Sequence, residues 1–452
     1  MKYRKIFLLM IITFFFAGEA AAKEITVQEG MDLQKVLDEA EKGDTVVLEA
    51  GVYEGNFSID KTIALIGETG AKVIGPPEGN VITVNADDVV IENLEIEGGG
   101  TQNAGIYIRS NRNKVTGNRI YDVFHGVMVK DGYGNEITNN MMSSFRGNVH
   151  KGFGVYLIEA PSAIVSENIM YDTNDGVYIS FSDLCAITNN YIRKARYGVH
   201  TMDSEDIVIS QNDISESRNG LMIMQSYYVR IKDNYLHDNR TVNGAGMFIF
   251  DTFYSTISQN VMERNNKGIY LENAQNNNIV SNIIRKNDTG LEMAEASINN
   301  LISLNQFIGN NQQVISDKEN ENSFTWDDFG NYWDNLRAID LDQDKVNDFA
   351  YKSGDVFYHM TKKEPHLQIF TGSPAIQLWN TIEKYVPIPS EQFIVDEHPL
   401  VNPSNIEVDF LKTGKKDESA FAVNWSGIYG YASFVLFGIF AMGLARRKKD
   451  ED

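Results

Sequence analysis

One cysteine among 452 residues excludes a disulfide framework and any zinc or iron–sulfur site built from clustered thiolates. Basic residues are also in deficit, 40 Lys and Arg against 62 Asp and Glu, for a formal net charge of −22. A surface of that sign repels phosphate backbones, so nucleic acid is excluded as a partner. Proline is sparse, nine residues against 36 glycines. Disorder is excluded as well, because 42% hydrophobic and 11% aromatic residues are ample for a packed core. Long apolar runs occur only near the two ends.

At the first end, Lys2, Arg4 and Lys5 precede the apolar run Ile6 to Ala17, and Ala20-Ala21-Ala22 offers a small-residue cleavage site. This pattern predicts a signal peptide over 1–22. At the other end, Gly427 to Ala445 is 19 residues without a charge, long enough for a transmembrane helix over 427–445. Trp425, Tyr429 and Tyr431 mark its outer side, and Arg446, Arg447, Lys448 and Lys449 follow it. The expected arrangement is a single-pass protein of the cell membrane, with its ectodomain outside and the tail 446–452 in the cytoplasm. Residues 23–426 then carry 33 basic and 58 acidic side chains, a net charge of −25.

Between those ends the chain repeats. An Asn followed by apolar residues recurs at 93, 118, 140, 168, 190, 212, 234, 260, 282 and 305, in steps of 22 to 28. In phase with it comes a Gly before alternating apolar residues, at 105, 126, 154, 176, 198, 220, 246, 268 and 290. Insertions fall only between the Asn and the following Gly, as in a stacked solenoid with loops on one side. The alternation around each Asn, as in Ile187-Thr188-Asn189-Asn190-Tyr191-Ile192, reads as short strands joined by bends. Asn tolerates the left-handed conformation of a sharp corner, and stacked amides can bond along a ladder. The expected fold is all-β: a right-handed parallel β-helix of ten to twelve coils, each about 22 residues.

The amphipathic stretch 31–42 is expected to form an N-terminal cap helix, with 23–92 as cap and first coils and 93–325 as the repeats. After Trp326 the composition shifts, and 326–400 reads as a C-terminal cap segment with an acidic loop and a helix. Ser373-Pro374 opens that helix, whose apolar Ile376, Leu378, Trp379, Ile382 and Tyr385 are expected to cap the solenoid or dock a partner. Residues 401–426 read as a tether.

Alternation also sorts the faces of each coil. Residues one and three after each Gly, such as Val177 and Ile179, point inward. Those two and four after should face outward, yet in the middle coils they are Tyr178, His200, Met202, Met222, Met224, Phe248 and Phe250. An exposed apolar face marks a ligand or partner surface. Thioether and imidazole suit copper(I), so His200, Met202, Met222 and Met224 are the candidate copper ligands, with Met128, His125 and His150 a few coils away. The alternative is a docking face with no metal, for which Tyr178, Phe248, Phe250 and Trp379 are candidates. Met142, Met170, Met262 and Cys185 share the inward parity and read as core. The longest insertions carry Arg146, His150 and Lys151, and His237 and Arg240. Asp340, Asp342, Asp344 and Asp348 at alternate spacing could wrap calcium, although Lys345 stands where such loops want Gly.

The Asn-rich β-helix, Gly330-Asn331-Tyr332-Trp333, the Asp run 340–348, and Ser373-Pro374-Ala375 followed by Asp396 and Pro399-Leu400 resemble the NosD family of nitrous oxide reductase maturation proteins. The resemblance implies a non-enzymatic role beside an ABC transporter, an ATPase plus permease. It further implies that copper is received from a membrane-bound chaperone and passed on to nitrous oxide reductase. No ligand motif carries over, so the His and Met set rests on the coil arithmetic. A polysaccharide lyase, hydrolase or epimerase, or a surface carbohydrate-binding protein, is the competing class. For it Asp172 and Asp175, with Arg193 and Arg196 one coil on, are the nearest acid–base group.

Overall fold

The computed structural model describes residues 22–403, except 146, 148–149, 295, 317–320, 354–359, 361–363, 371–372 and 384–393. All but the last residue of the signal segment, the membrane segment 427–445, the tail and nearly all of the tether lie outside the described residues. Among those described, no helix is long and apolar enough to cross a membrane.

Each coil makes three short strands, and successive coils stack them in parallel into three sheets. In chain order, the first sheet holds 13 strands from Glu24–Val27 to Leu301–Ser303. The second holds 13 from Gly51–Glu54 to Tyr332–Trp333, and the third holds 12 from Phe57–Ile59 to Gln312–Ser316. The solenoid is thus the right-handed parallel β-helix expected, with three sides. It is longer than the ten to twelve coils expected, with 13 strands in each of two sheets. Inward side chains from all three sheets merge into one continuous core, in which Met142, Met170, Met262 and Cys185 are buried. Burial pushes the Cys185 thiol up to about 12, so it stays protonated and inert.

The Asn repeat is an amide ladder on the inside of a corner. Asn190 donates its backbone N–H and its Nδ2 to Asn212 Oδ1, both at 3.0 Å, and Asn212 does the same to Asn234. The ladder runs from Asn118 to Asn331. The left-handed residue of the corner is instead the one before each ladder position: Glu167, Asn189, Gln211, Asp233, Gln259, Ser281 and Leu304 all have φ between +56° and +59°. Asn93 is therefore out of phase with the others. It has φ +58°, and Leu94 fills the ladder slot, its N–H bonded to Asn118 Oδ1.

The Gly repeat answers a different need. Gly176 has no unusual φ, but a Cβ there would lie 2.6 Å from the Gly198 carbonyl oxygen and 2.6 Å from Ile192 Cγ2. Only a hydrogen fits between the neighbouring strand and the core. The extra residues between Asn and Gly leave the coil between the second and third sheets, after the strands Met141–Ser144 and Tyr235–His237, so both insertions start from one corner, as their phase predicts.

Both ends are closed. The first helix, Leu33–Glu39, is shorter than the 31–42 read from the sequence; it is N-capped by Asp32 and buries Leu33 and Leu37. Its Gln34 amide accepts from the Ser58 N–H (2.8 Å) and donates to the Ser58 carbonyl (3.1 Å), satisfying the third sheet's first strand where it would otherwise be an open edge.

At the other end, Trp333 stacks between Phe307 (4.2 Å) and Tyr351 (4.0 Å). Its Nε1–H donates to Asp396 Oδ2 at 2.9 Å, and the Asn331 N–H donates to the same oxygen at 2.8 Å. Leu400 N–H bonds the Asn331 carbonyl, which locks the strand Ile394–Asp396 and its continuation over the last coil. The helix expected as the lid forms over Pro374–Glu383 with Ser373 as N-cap. It leaves Leu378, Trp379 and Ile382 exposed. That exposure argues against the helix as the lid: among the described residues Trp333 with Asp396 closes the end, and Tyr385 of the expected apolar face lies outside them.

A candidate metal-binding face

The third sheet puts Tyr178, His200, Met222 and Phe248 side by side on successive strands, with Ser180, Met202, Met224 and Phe250 two residues along. Strands are about 4.8 Å apart and alternate residues about 6.6 Å apart. His200, Met202, Met222 and Met224 therefore form one compact rectangle, as the coil arithmetic predicts. The expectation that all four are outward and open is corrected: His200 and Met222 are only 7% and 6% exposed. Tyr178 and Tyr197 pack on the His200 ring, with centroids 4.7 and 5.2 Å away.

His200 is held from behind. A carboxylate only accepts, so His200 Nδ1–H donates to Asp175 Oδ2 (3.0 Å). Asp175 is fully buried and gripped by Arg196, Nε to Oδ1 at 2.8 Å and Nη2 to Oδ2 at 2.7 Å. Burial works against the Arg196 charge, but the Asp175 carboxylate outweighs it and raises its pKa. The other ring nitrogen, His200 Nε2, is buried and has no hydrogen-bond partner among the described residues. A buried orphan of this kind costs about 1–3 kcal/mol, and an imidazole whose Nδ1–H is bound by a carboxylate presents its Nε2 lone pair to a metal. The donor set therefore fits a soft ion. Met202 Sδ accepts from the Tyr178 hydroxyl (3.4 Å), and Met222 Sδ from Asn219 Nδ2 (3.6 Å); both contacts hold the sulfurs in place.

Other residues with the same chemistry in the sequence have different surroundings. His125 accepts the Phe153 N–H at its Nδ1 (3.0 Å), so its proton sits on Nε2 and it has no free lone pair. Burial lowers its pKa to about 4. It pins the insertion loop and brings Phe153 over Tyr156 and Tyr178. Met128 lies three strands from His200, beyond Tyr156 and Tyr178, about 14 Å by strand spacing. His150 is exposed on the loop. His237 has both nitrogens taken by carboxylates, Asp238 at 2.7 Å and Asp213 at 3.0 Å, and Arg264 holds the Asp238 pKa at about 2.

Of the docking candidates, Phe248 and Phe250 continue the face beyond the methionines. Trp379 sits on the exposed helix, not on the sheet. Asp172 and Asp175 do not act as a pair: Asp172 binds Lys151 (2.7 Å) while Asp175 binds Arg196 and His200. Asp340, Asp342 and Asp344 converge within 4.8 Å. Asp348 stands outside that trio, bonded to the Leu341 N–H, and Asp340 accepts from Gln343 and Lys345. Lys345 does adopt φ +75° where a Gly was wanted.

Asp175 is the site residue that alternation misses. It sits one before the Gly, at inward parity, but the irregular strand at Gly176 turns it onto the His200 side. The signal was the Gly itself, which breaks the alternation it punctuates. Beside the face, Tyr227 stacks on Phe253 and Tyr228 on Tyr254 along the next corner, a ridge equally invisible in the two outward columns.

The chain is similar to several known proteins. A family profile described as "Periplasmic copper-binding protein (NosD)" matches residues 142–338, a span that contains the whole His200 cluster. The chain is 30% identical over 378 residues to the "Probable ABC transporter binding protein NosD" of Pseudomonas aeruginosa, covering 78% of this chain and 87% of that one. The protein so named from Stutzerimonas stutzeri is 26% identical over 177 residues, 39% of this chain and 35% of the other. Among solved structures, the A-module of the Azotobacter vinelandii mannuronan C-5 epimerase AlgE6 gives a TM-score of 0.53 at 12% identity, over 65% of this chain and 94% of that one. The Yersinia enterocolitica family 28 exopolygalacturonase gives 0.50 at 11% identity, over 67% and 78%. At those identities the likeness is one of fold alone.

Proposed function

The chain belongs to the NosD family, and from that premise we propose that it is an extracytoplasmic maturation factor. It works with an ABC transporter to deliver copper for assembly of the metal centres of nitrous oxide reductase. Copper is cargo in this reading, held as copper(I) by His200 Nε2 and the thioethers of Met202 and Met222, with Met224 alongside. A membrane-bound chaperone supplies it, and the apolar residues Phe248 and Phe250 frame the transfer. The observation that carries the reading is the buried, unpartnered His200 Nε2 among methionines, because a soft, monovalent ion is what imidazole and thioether together prefer. The role is non-enzymatic: Asp172 and Asp175, the carboxylates that a sugar-active enzyme would use, are each engaged by a cation. The segment 427–445 would keep the factor at the outer face of the membrane.

The test is made in a host that also expresses the cognate transporter and reductase. Replacing His200→Ala together with Met202→Leu should leave the transporter co-purifying with the chain. The reductase from those cells should lose most of its copper. A fully copper-loaded reductase from the variant host would overturn the proposal.

A further inference from the structure

We infer that Asp175, clamped by Arg196, is the positioning residue that sets the His200 tautomer and makes this face select a monovalent soft ion over divalent ones. The inference rests on the copper-handling reading above and says how the site would choose its cargo. Two observations carry it.

The first is the direction of the His200 hydrogen bond. In a neutral imidazole one nitrogen is a donor and the other an acceptor. Asp175 Oδ2, 3.0 Å from Nδ1, fixes the proton there and leaves Nε2 with its lone pair. The same chain supplies the control: the Phe153 N–H fixes the opposite tautomer on His125. Without Asp175 nothing in the described contacts of His200 would decide between the two forms, since Asp175 is its one described side-chain hydrogen-bond partner and Tyr178 and Tyr197 meet it only by ring packing.

The second observation is charge. The donors on the face, one imidazole and the thioethers, are neutral. The single buried carboxylate behind them is neutralised by the bidentate Arg196. An ion bound at Nε2 therefore keeps nearly its full charge in a half-buried setting. That cost grows steeply with charge, so a monovalent ion is tolerated and a divalent one is not. Arg196 makes Asp175 an orienting group without making it an attracting one.

The experiment uses the full-length protein with 15N-labelled histidine, the His200 signals being assigned by their loss in His200→Gln. Long-range 15N–1H correlation on the metal-free protein should show protonated Nδ1 at His200. Asp175→Asn should convert this to a mixture or to the Nε2–H form. Anaerobic competition against a chromophoric chelator should then show Cu(I) affinity weakened about 10- to 100-fold. In a second variant, Arg196→Met, which removes a partly exposed group and leaves Asp175 in place, the tautomer should persist. Its Zn(II) affinity should rise about tenfold relative to Cu(I), as the carboxylate charge is uncovered.

An Nε2–H tautomer in the wild type, or an Asp175→Asn protein with unchanged tautomer and Cu(I) affinity, overturns the positioning role. An unchanged Cu(I)-to-Zn(II) ratio in Arg196→Met overturns the selectivity role, and does so even if Asp175→Asn fails to fold. A wild type that binds no Cu(I) tighter than micromolar overturns the copper reading instead, and the tautomer spectra still decide the positioning role.

Discussion

Histidines that look alike in a sequence are distinguished by what their second nitrogen meets. His125 and His200 both flank a repeat glycine, and both are aromatic-packed on the third sheet. One is a structural pin and the other a candidate ligand. Neither fate was legible, because the Phe153 N–H arrives at the end of a long insertion and Asp175 comes from the preceding coil, out of alternation. The pin has a measurable consequence. Burial holds the His125 pKa at about 4, below an unfolded value of about 6.5. Between those values the unfolded chain takes up the proton and the folded one does not. The contribution is therefore intact above the unfolded value and is lost as pH falls through the folded one, by roughly 3 kcal/mol in all. Urea midpoints at pH 7.5 and 4.5 should show the wild type losing more stability on acidification than His125→Phe, which cannot titrate. Equal losses in the two proteins would rule out the pin.

At the scale of the coil, the Asn period was readable and its cause was not. Spacing alone could not say whether Asn was there for its backbone or its amide. The positive φ values answer that by falling one residue earlier, on Glu167, Gln211, Ser281 and even Leu304. What the slot requires is a side chain that accepts from the coil behind, donates to the coil ahead and reaches back to its own corner. Asn212 does all three: it receives two bonds from Asn190 and donates to Asn234 Oδ1, Ile187 O and Ser210 O. Asn212→Ala should cost roughly 2–4 kcal/mol, because it strands buried donors and acceptors as well as removing bonds. Asn212→Leu should cost about as much, although Leu94 shows that leucine fits the slot where the ladder begins. Denaturant unfolding checks both. A Leu variant as stable as wild type would mean that the slot needs volume and not hydrogen bonds.

For the whole molecule, the resemblance at the C-terminal end was visible as a signature long before it had a reason. Gly330, Asn331, Trp333 and Asp396 are one device. Asn331 ends the amide ladder, Trp333 covers the last coil, and Asp396 bonds both. Glycine suits 330 because a Cβ there would run into the Asp396 carboxylate. The helix Pro374–Glu383 had the stronger pattern in the sequence, and its exposed Leu378, Trp379 and Ile382 argue against its being the lid. The two assignments predict opposite results. A solenoid's stability is close to a sum over neighbouring coils, so losing the cap should loosen the last coils and leave distant ones alone. Gly330→Ala displaces Asp396 and should cost roughly 1–3 kcal/mol as overpacking. Amide exchange should quicken across Gln306–Ile308 and Tyr332–Trp333 while the strand Tyr197–Met202 stays protected. Trp379→Ala should leave exchange in all of these unchanged. If Trp379→Ala instead frays the last coils and Gly330→Ala does not, the helix is the cap after all, and the Trp333–Asp396 contact is incidental to closing the end.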